Sequence, residues 1–263
     1  MAVLRCLTVA GSDSGGGAGI QADLKAFAAA RVYGTTVIVA LTAQSTLGVT
    51  AVHELPPDFV RAQLDSVFGD IGADAAKTGM LFSRALVETV ADWFAAHPLP
   101  LVVDPVMVAS SGARLLEEDA VAALVQRLFP LATVVTPNLM EAEVLAARDV
   151  GNNVLHGSKA ELAEALHRLG APAVLITGGH GDAVDHLYYG ERHVDIPVDR
   201  HVVAATHGAG CTHSATLAAL LARGESLEDA ARGAAAAASG AVAQGLIEVG
   251  AGDGPVDVLG IAR

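Results

Sequence analysis

The chain has 263 residues, of which 52% are hydrophobic and only 17% charged, with 16 lysines and arginines against 29 aspartates and glutamates for a formal charge of −13. This composition excludes an intrinsically disordered chain, and an acidic balance with no basic cluster argues against nucleic acid or an anionic membrane as partner. With 52 alanines, 28 glycines and just 4% aromatics, the core has to be packed from Ala, Val and Leu at short distances. In chain order, short β-branched runs predict strands at 3–10, 35–42, 75–78, 101–104, 133–136 and 173–177. Helical-period stretches fall between them at 18–31, 58–68, 83–97, 119–129, 138–147 and 159–169. The rhythm then changes to two short antiparallel strands, 186–189 and 193–198, turning at Gly190-Glu191, followed by Ala-rich helices at 210–222 and 226–247. Repeating βα units imply an α/β protein with a mostly parallel sheet covered on both faces and a small antiparallel edge. Only the polar stretch 149–158 interrupts the pattern, as a surface loop, so residues 1–263 read as a single domain.

Neither charge-poor stretch spans a membrane: 32–52 is broken by polar residues and 233–247 is too short. The two cysteines, Cys6 and Cys211, lie far apart, as expected of free thiols in a reducing compartment, and the expected location is cytoplasmic.

Ligands of open parallel sheets bind beyond the carboxyl ends of the strands, so the residues that follow each strand are the first candidates. The glycine cluster 11–19 fits neither a dinucleotide fingerprint nor a Walker loop, and it reads equally as a tight turn or a binding loop. Thr206-His207-Gly208-Ala209-Gly210-Cys211-Thr212 opens a helix, so unpaired backbone N–H groups and the positive end of the dipole meet at one spot suited to an anion. Cys211, in that first turn, is either a small packing residue or a thiol whose pKa the same field lowers, making it a candidate base. Asn138 and Glu141 either close a capping box or, with Asp104, hold magnesium beside a nucleotide.

Six segments carry a family resemblance: 10–23 around Gly11 and Asp23, Thr42-Ala43-Gln44, Ala76-Lys77-Thr78-Gly79-Met80, Asp104-Pro105-Val106-Met107, Thr136-Pro137-Asn138, and 206–212. In that order they closely resemble the hydroxymethylpyrimidine/phosphomethylpyrimidine kinases of thiamine biosynthesis, over nearly the whole chain. The resemblance implies a ribokinase-like three-layer αβα sandwich and an ATP- and Mg2+-dependent kinase, with a homodimer as the expected assembly. Its substrates would be 4-amino-5-hydroxymethyl-2-methylpyrimidine and then the monophosphate. It further implies that Gln44 and Asp23 hydrogen-bond the aminopyrimidine, with Gly11, Met80, Val106 and Met107 as pocket walls. Gly208, Ala209 and Gly210 would form the anion hole, and Cys211 would take the proton of the hydroxymethyl group. Asn138, Thr177, Gly179 and Gly208 would face the nucleotide, and Glu141 and Asp104 the magnesium.

The chain departs from the family pattern at Thr177, where the family usually has a lysine before the Gly-Gly-His turn, which places the second phosphorylation in question. His180, His207 and His213 are candidate substitutes for the missing charge. Two other readings remain open: a pyridoxal or pyridoxine kinase, and a pyrimidine-binding module without turnover.

Overall fold

The computed structural model describes residues 2–108, 115–149, 154–178 and 182–262. Nine strands form one sheet in the order β3-β2-β1-β4-β5-β6-β7-β8-β9. They are β1 (Arg5–Asp13), β2 (Tyr33–Ser45), β3 (Gly48–Glu54), β4 (Ala75–Thr78), β5 (Leu101–Val103), β6 (Val134–Val135), β7 (Ala173–Ile176), β8 (Val184–Tyr189) and β9 (Arg192–Pro197). In that spatial order the six from β2 to β7 run parallel, whereas β3 pairs antiparallel with β2, and β8 and β9 close the opposite edge antiparallel.

Strand side chains alternate between two apolar layers, as the period of two requires. Leu7, Val103, Val174 and Ile176 face a layer with α2 (Pro57–Asp70), α3 (Arg84–Ala96), α5 (Leu139–Ala146) and α6 (Lys159–Arg168). Cys6, Val102, Ala173 and Leu175 face the other, with α1 (Gly19–Ala29), α7 (Ala209–Ala222) and α8 (Leu227–Ala243). The three-layer α/β architecture is therefore the one expected. Among the described residues no helix is long and apolar enough to cross a membrane.

Four local differences have physical causes. β1 runs on to Asp13 because a register shift between Ala10 and Ser12 lets Ser12 and Asp13 pair with Leu41 and Thr42. β3 has no counterpart among the expected strands; it is an edge strand with both faces largely open, so it carries no buried-face pattern. The helix expected at 119–129 begins as α4 (Glu118–Ala123) and widens into a π-turn at Leu124–Leu128. It ends in a 3-10 turn at Phe129–Leu131, where Pro130 removes a donor. α8 stops at Ala243 rather than continuing to residue 247: Gln244 leaves helical geometry at φ −102° and ψ 16°, and Gly245, a poor helix former, follows it against Ala205. The turn at Gly190-Glu191 forms as expected, with both φ angles positive.

Candidate functional site

The carboxyl ends of β1, β4, β5 and β6 meet the amino end of α7 on one rim of the sheet. Asp13, the last residue of β1, organises the glycine loop that follows. Its Oδ1 accepts the Gly15 N–H at 2.8 Å, and its Oδ2 accepts the N–H groups of Gly17 (3.0 Å) and Ala18 (2.8 Å). His207 Nε2 lies 3.0 Å from the same Oδ2. Burial pushes the carboxyl up, but the His207 bond and the Ala18 and Gly15 amides outweigh it and hold Asp13 below the usual range. Three loop amides are thus tied to one carboxylate, which fixes the entry into α1 and anchors the segment before α7.

Gly208 is the N-cap of α7 at φ +84°, and a Cβ there would overlap the carbonyl oxygen of Gly17. Only glycine permits both the left-handed backbone and this approach. The anion hole expected at Gly208, Ala209 and Gly210 needs one correction: the Ala209 N–H already donates to Thr206 O at 3.1 Å. Thr212 N–H bonds back to Gly208 O, so the first-turn amides without an intrahelical acceptor are those of Gly210 and Cys211.

Beneath this turn lies a buried charge cluster. Lys77, on β4, places Nζ 2.9 and 3.0 Å from the two oxygens of Asp23, with both side chains fully buried. Asp23 Oδ2 also accepts from Thr8 Oγ1 at 2.6 Å. Asp23 therefore cannot bind the pyrimidine as the resemblance implies: its oxygens are spent on Lys77 and Thr8, and it has no exposure. Asp104, at the end of β5, lies 3.8 Å from Lys77 and accepts from Ser214 of α7 at 2.7 Å. Lys77 keeps its proton, because burial opposes the charge but Asp23, Cys211 and Asp104 outweigh burial. The Cys211 expectation is also corrected. Burial, together with Asp23 and Asp104, pushes the thiol up to about 12 against the pull of Lys77 and the Gly19 amide. A helix amino end alone does not decide a thiol's pKa when carboxylates lie underneath.

The remaining candidates fall into three groups. Gly11 and Met80 are in direct apposition, since a Cβ on Gly11 would meet the Met80 methyl; Met80 and Met107 belong to one buried cluster, with Val106 packed against it. The Gln44 amide lies with Thr42 Oγ1 at 3.0 Å and His207 Nε2 at 3.3 Å. At the ends of β6 and β7, Asn138 and Thr177 bridge, with the Thr177 N–H on Pro137 O at 3.0 Å. Gly179 and His180 lie outside the described residues. His207 and His213 each face a carboxylate, Asp13 and Asp185, rather than standing free to replace a lysine.

Asn138 and Glu141 do form the capping box. Asn138 Oδ1 accepts the Glu141 N–H at 2.9 Å, Glu141 Oε2 accepts the Asn138 N–H at 3.0 Å, and Oε1 accepts the Met107 N–H at 3.3 Å. The cap does not exhaust the carboxyl's chemistry. Burial and the neighbouring charge of Asp104 push Glu141 up to about 8 despite those amides, so in the absence of a cation the carboxyl holds a proton that a bound cation could replace. Such a donor set fits Mg2+, which takes one or two carboxylates and completes its shell with water and phosphate oxygens. Among the described residues no three acidic, His or Cys side chains gather as a closed metal cage.

Sequence reasoning assigns no role to Lys77, Asp13 or Ser214. The signal for Lys77 is present, since a lysine flanked by Ala75, Ala76 and Thr78 in a strand buried on both faces needs a buried partner.

A model of the phosphomethylpyrimidine kinase family matches residues 13–257. A hydroxymethylpyrimidine/phosphomethylpyrimidine kinase of Rhizobium meliloti is 48% identical over 254 residues, covering 95% of each chain. A thiamine biosynthesis bifunctional protein of Geobacter sulfurreducens is 48% identical over 257 residues, 95% of this chain and 51% of that one. Among solved structures, an ADP complex of Bacillus subtilis pyridoxal kinase superposes with a TM-score of 0.87 at 38% identity, covering 97% of each chain.

Proposed function

The chain belongs to the phosphomethylpyrimidine kinase family, and on that footing we propose that it phosphorylates hydroxymethylpyrimidine and then phosphomethylpyrimidine in thiamine biosynthesis, with ATP as donor and Mg2+ as cofactor. The observation that carries the reading is the meeting of Cys211 and the first turn of α7 with Lys77 and Asp104 at the ends of β4 and β5. Phosphoryl transfer asks little covalent work of a protein; it asks for in-line positioning and neutralised charge.

In this mechanism the ring sits against Gly11, Met80, Val106 and Met107, with its polar edge on Gln44. An amide offers a donor and an acceptor side by side, as an aminopyrimidine edge requires. A ring seated there would have to present its hydroxymethyl arm to Cys211, and the amides of Gly210 and Cys211 would receive oxygens of the nucleotide's terminal phosphates. Lys77, fixed by Asp23, is the group beneath Cys211 that favours the thiolate, and it offsets only part of what burial, Asp23 and Asp104 do to hold the proton on. Glu141 and Asp104 would hold Mg2+, which when bound neutralises phosphate charge. Asn138 and Thr177 border the nucleotide side. The reading also takes residues 1–263 as one catalytic domain acting as a cytoplasmic homodimer, whose mass sedimentation would measure.

The structural likeness to a pyridoxal kinase supports a second reading, because pyridoxal also presents a hydroxymethyl group on an aromatic ring. Supplying hydroxymethylpyrimidine, its monophosphate and pyridoxal separately with ATP and Mg2+ separates the readings. Higher kcat/KM on the two pyrimidines supports the proposal; higher kcat/KM on pyridoxal replaces it; turnover on none leaves a binding module.

A further inference from the structure

Behind the anion-facing turn of α7 lies a second buried pair that the reaction as described does not use. His213, one turn into α7, places Nε2 3.0 Å from Asp185 Oδ2, and neither side chain is more than 6% exposed. Asp185 belongs to β8, and its Oδ1 accepts the Gly178 N–H at 2.7 Å, just past the end of β7. Burial pushes this carboxyl up, but the His213 hydrogen bond and charge, with the Gly178 amide and Lys159, hold it below the usual range. Asp185 is therefore an ionised acceptor with both oxygens occupied, one by α7 and one by the backbone after β7.

His213 Nδ1 is buried without a hydrogen-bond partner. Buried polar pairs contribute little net stability and an orphaned ring nitrogen costs free energy, so stability alone does not account for the histidine at this place. Its placement suggests another reason. A helical side chain leans toward the amino end of its helix, and Ala209 and Gly210 stand four and three residues before His213 on the same face. The imidazole thus braces the turn whose amides face the anion, while Asp185 carries that brace to Gly178.

We infer that His213 and Asp185 are positioning residues for the nucleotide polyphosphate: the pair locks the first turn of α7 to the end of β7, so that the Gly210 and Cys211 amides keep a fixed spacing from Thr177 and Gly178. The inference rests on the kinase reading, which supplies a polyphosphate to be placed there. It is specific to phosphate, because the hydrogen bonds of the pair join only α7 to the end of β7, and nothing in it reads a base or a sugar.

The test is calorimetric binding of ADP and of adenosine to the intact protein and to three variants. His213→Leu should weaken ADP at least tenfold and leave adenosine within twofold. His213→Gln, whose amide N–H can still reach Asp185, should recover most of that loss. Asp185→Asn keeps an acceptor for Gly178 without the charge and should weaken ADP three- to tenfold. If His213→Leu does not fold, the other two variants decide. Unchanged ADP affinity in Asp185→Asn, or ADP and adenosine weakened alike, overturns the inference and leaves a packing pair. A wild-type protein that binds neither compound overturns the kinase reading itself.

Discussion

Lys77 Nζ stands 2.9 Å from Asp23 Oδ1, and both side chains are fully buried between β4 and α1. Removing one partner of such a pair strands a charge in a dry interior, whereas neutralising both leaves no uncompensated charge. Lys77→Met should therefore destabilise the protein by about 3–5 kcal/mol, and Lys77→Met with Asp23→Asn by clearly less than the sum of the single changes. Urea unfolding of the three variants measures this. Additive losses would show that the two residues do not depend on each other.

That pair also marks where reading the sequence reaches its limit. The strands β1, β5 and β7 are legible because strands buried on both faces have to be largely apolar and β-branched, and the loops after them are legible because special backbone demands special residues. β3 is not, since it buries neither face. The site divides the same way. Gly208 and the first turn of α7 announce themselves locally, whereas Asp23 is 54 residues from Lys77, and Ser214 is 110 from Asp104. A carboxylate that looks like a ligand in one dimension proves to be the counter-ion of a lysine from another strand. Cys211 shows the same limit in energy: its helix position argues for an acidic thiol, but burial and the two carboxylates beneath it decide the opposite.

Gln44 Oε1 accepts from Thr42 Oγ1 at 3.0 Å before any ligand arrives, so its amide is already oriented for the ring. Gln44→Ala should weaken hydroxymethylpyrimidine by about 1–3 kcal/mol, the cost of leaving a buried ligand group unpaired, and scarcely alter ATP. Titration calorimetry with each ligand gives the comparison. Loss of ATP affinity with the pyrimidine unaffected would place the ring elsewhere on the rim.

Glu141 ties stability to pH. In the metal-free protein its carboxyl is pushed up to about 8 from an ordinary 4.5, so between those values the folded state holds a proton that the unfolded state has released. The stabilisation is fully present below pH 4.5 and is lost as pH rises through 8. Each tenfold change in the acidity of the carboxyl is worth ~1.4 kcal/mol, so the whole effect amounts to a few kcal/mol. Glu141→Gln, which can still close the capping box, should gain stability relative to wild type steadily from pH 5 to pH 8 when both are unfolded by urea in a chelator. Added Mg2+ should flatten the wild-type profile at the alkaline end. Parallel profiles for the two proteins would mean that Glu141 titrates as an ordinary surface carboxylate.

The thiol of Cys211 distinguishes the two phosphorylations. With its pKa pushed up to about 12, it is protonated at neutral pH, and the thiolate fraction grows about tenfold for each unit of pH. An alcohol has to lose its proton to attack phosphorus, whereas a phosphomethyl substrate presents an oxygen that is already anionic. If the thiolate takes the alcohol's proton, kcat for hydroxymethylpyrimidine should climb with a slope near one from about pH 6 to 9, while kcat for the monophosphate stays nearly level. Cys211→Ala should lower the first rate by roughly 10²-fold or more and abolish that slope, with a much smaller effect on the second. ATP binding should persist, because the amide at position 211 remains when the sulfur goes. A slope that survives in Cys211→Ala would assign the proton to solvent or to the departing phosphoryl oxygens. Cys211 would then be a packing residue over Lys77, Asp23 and Asp104, and the catalytic weight would rest on the helix amides alone.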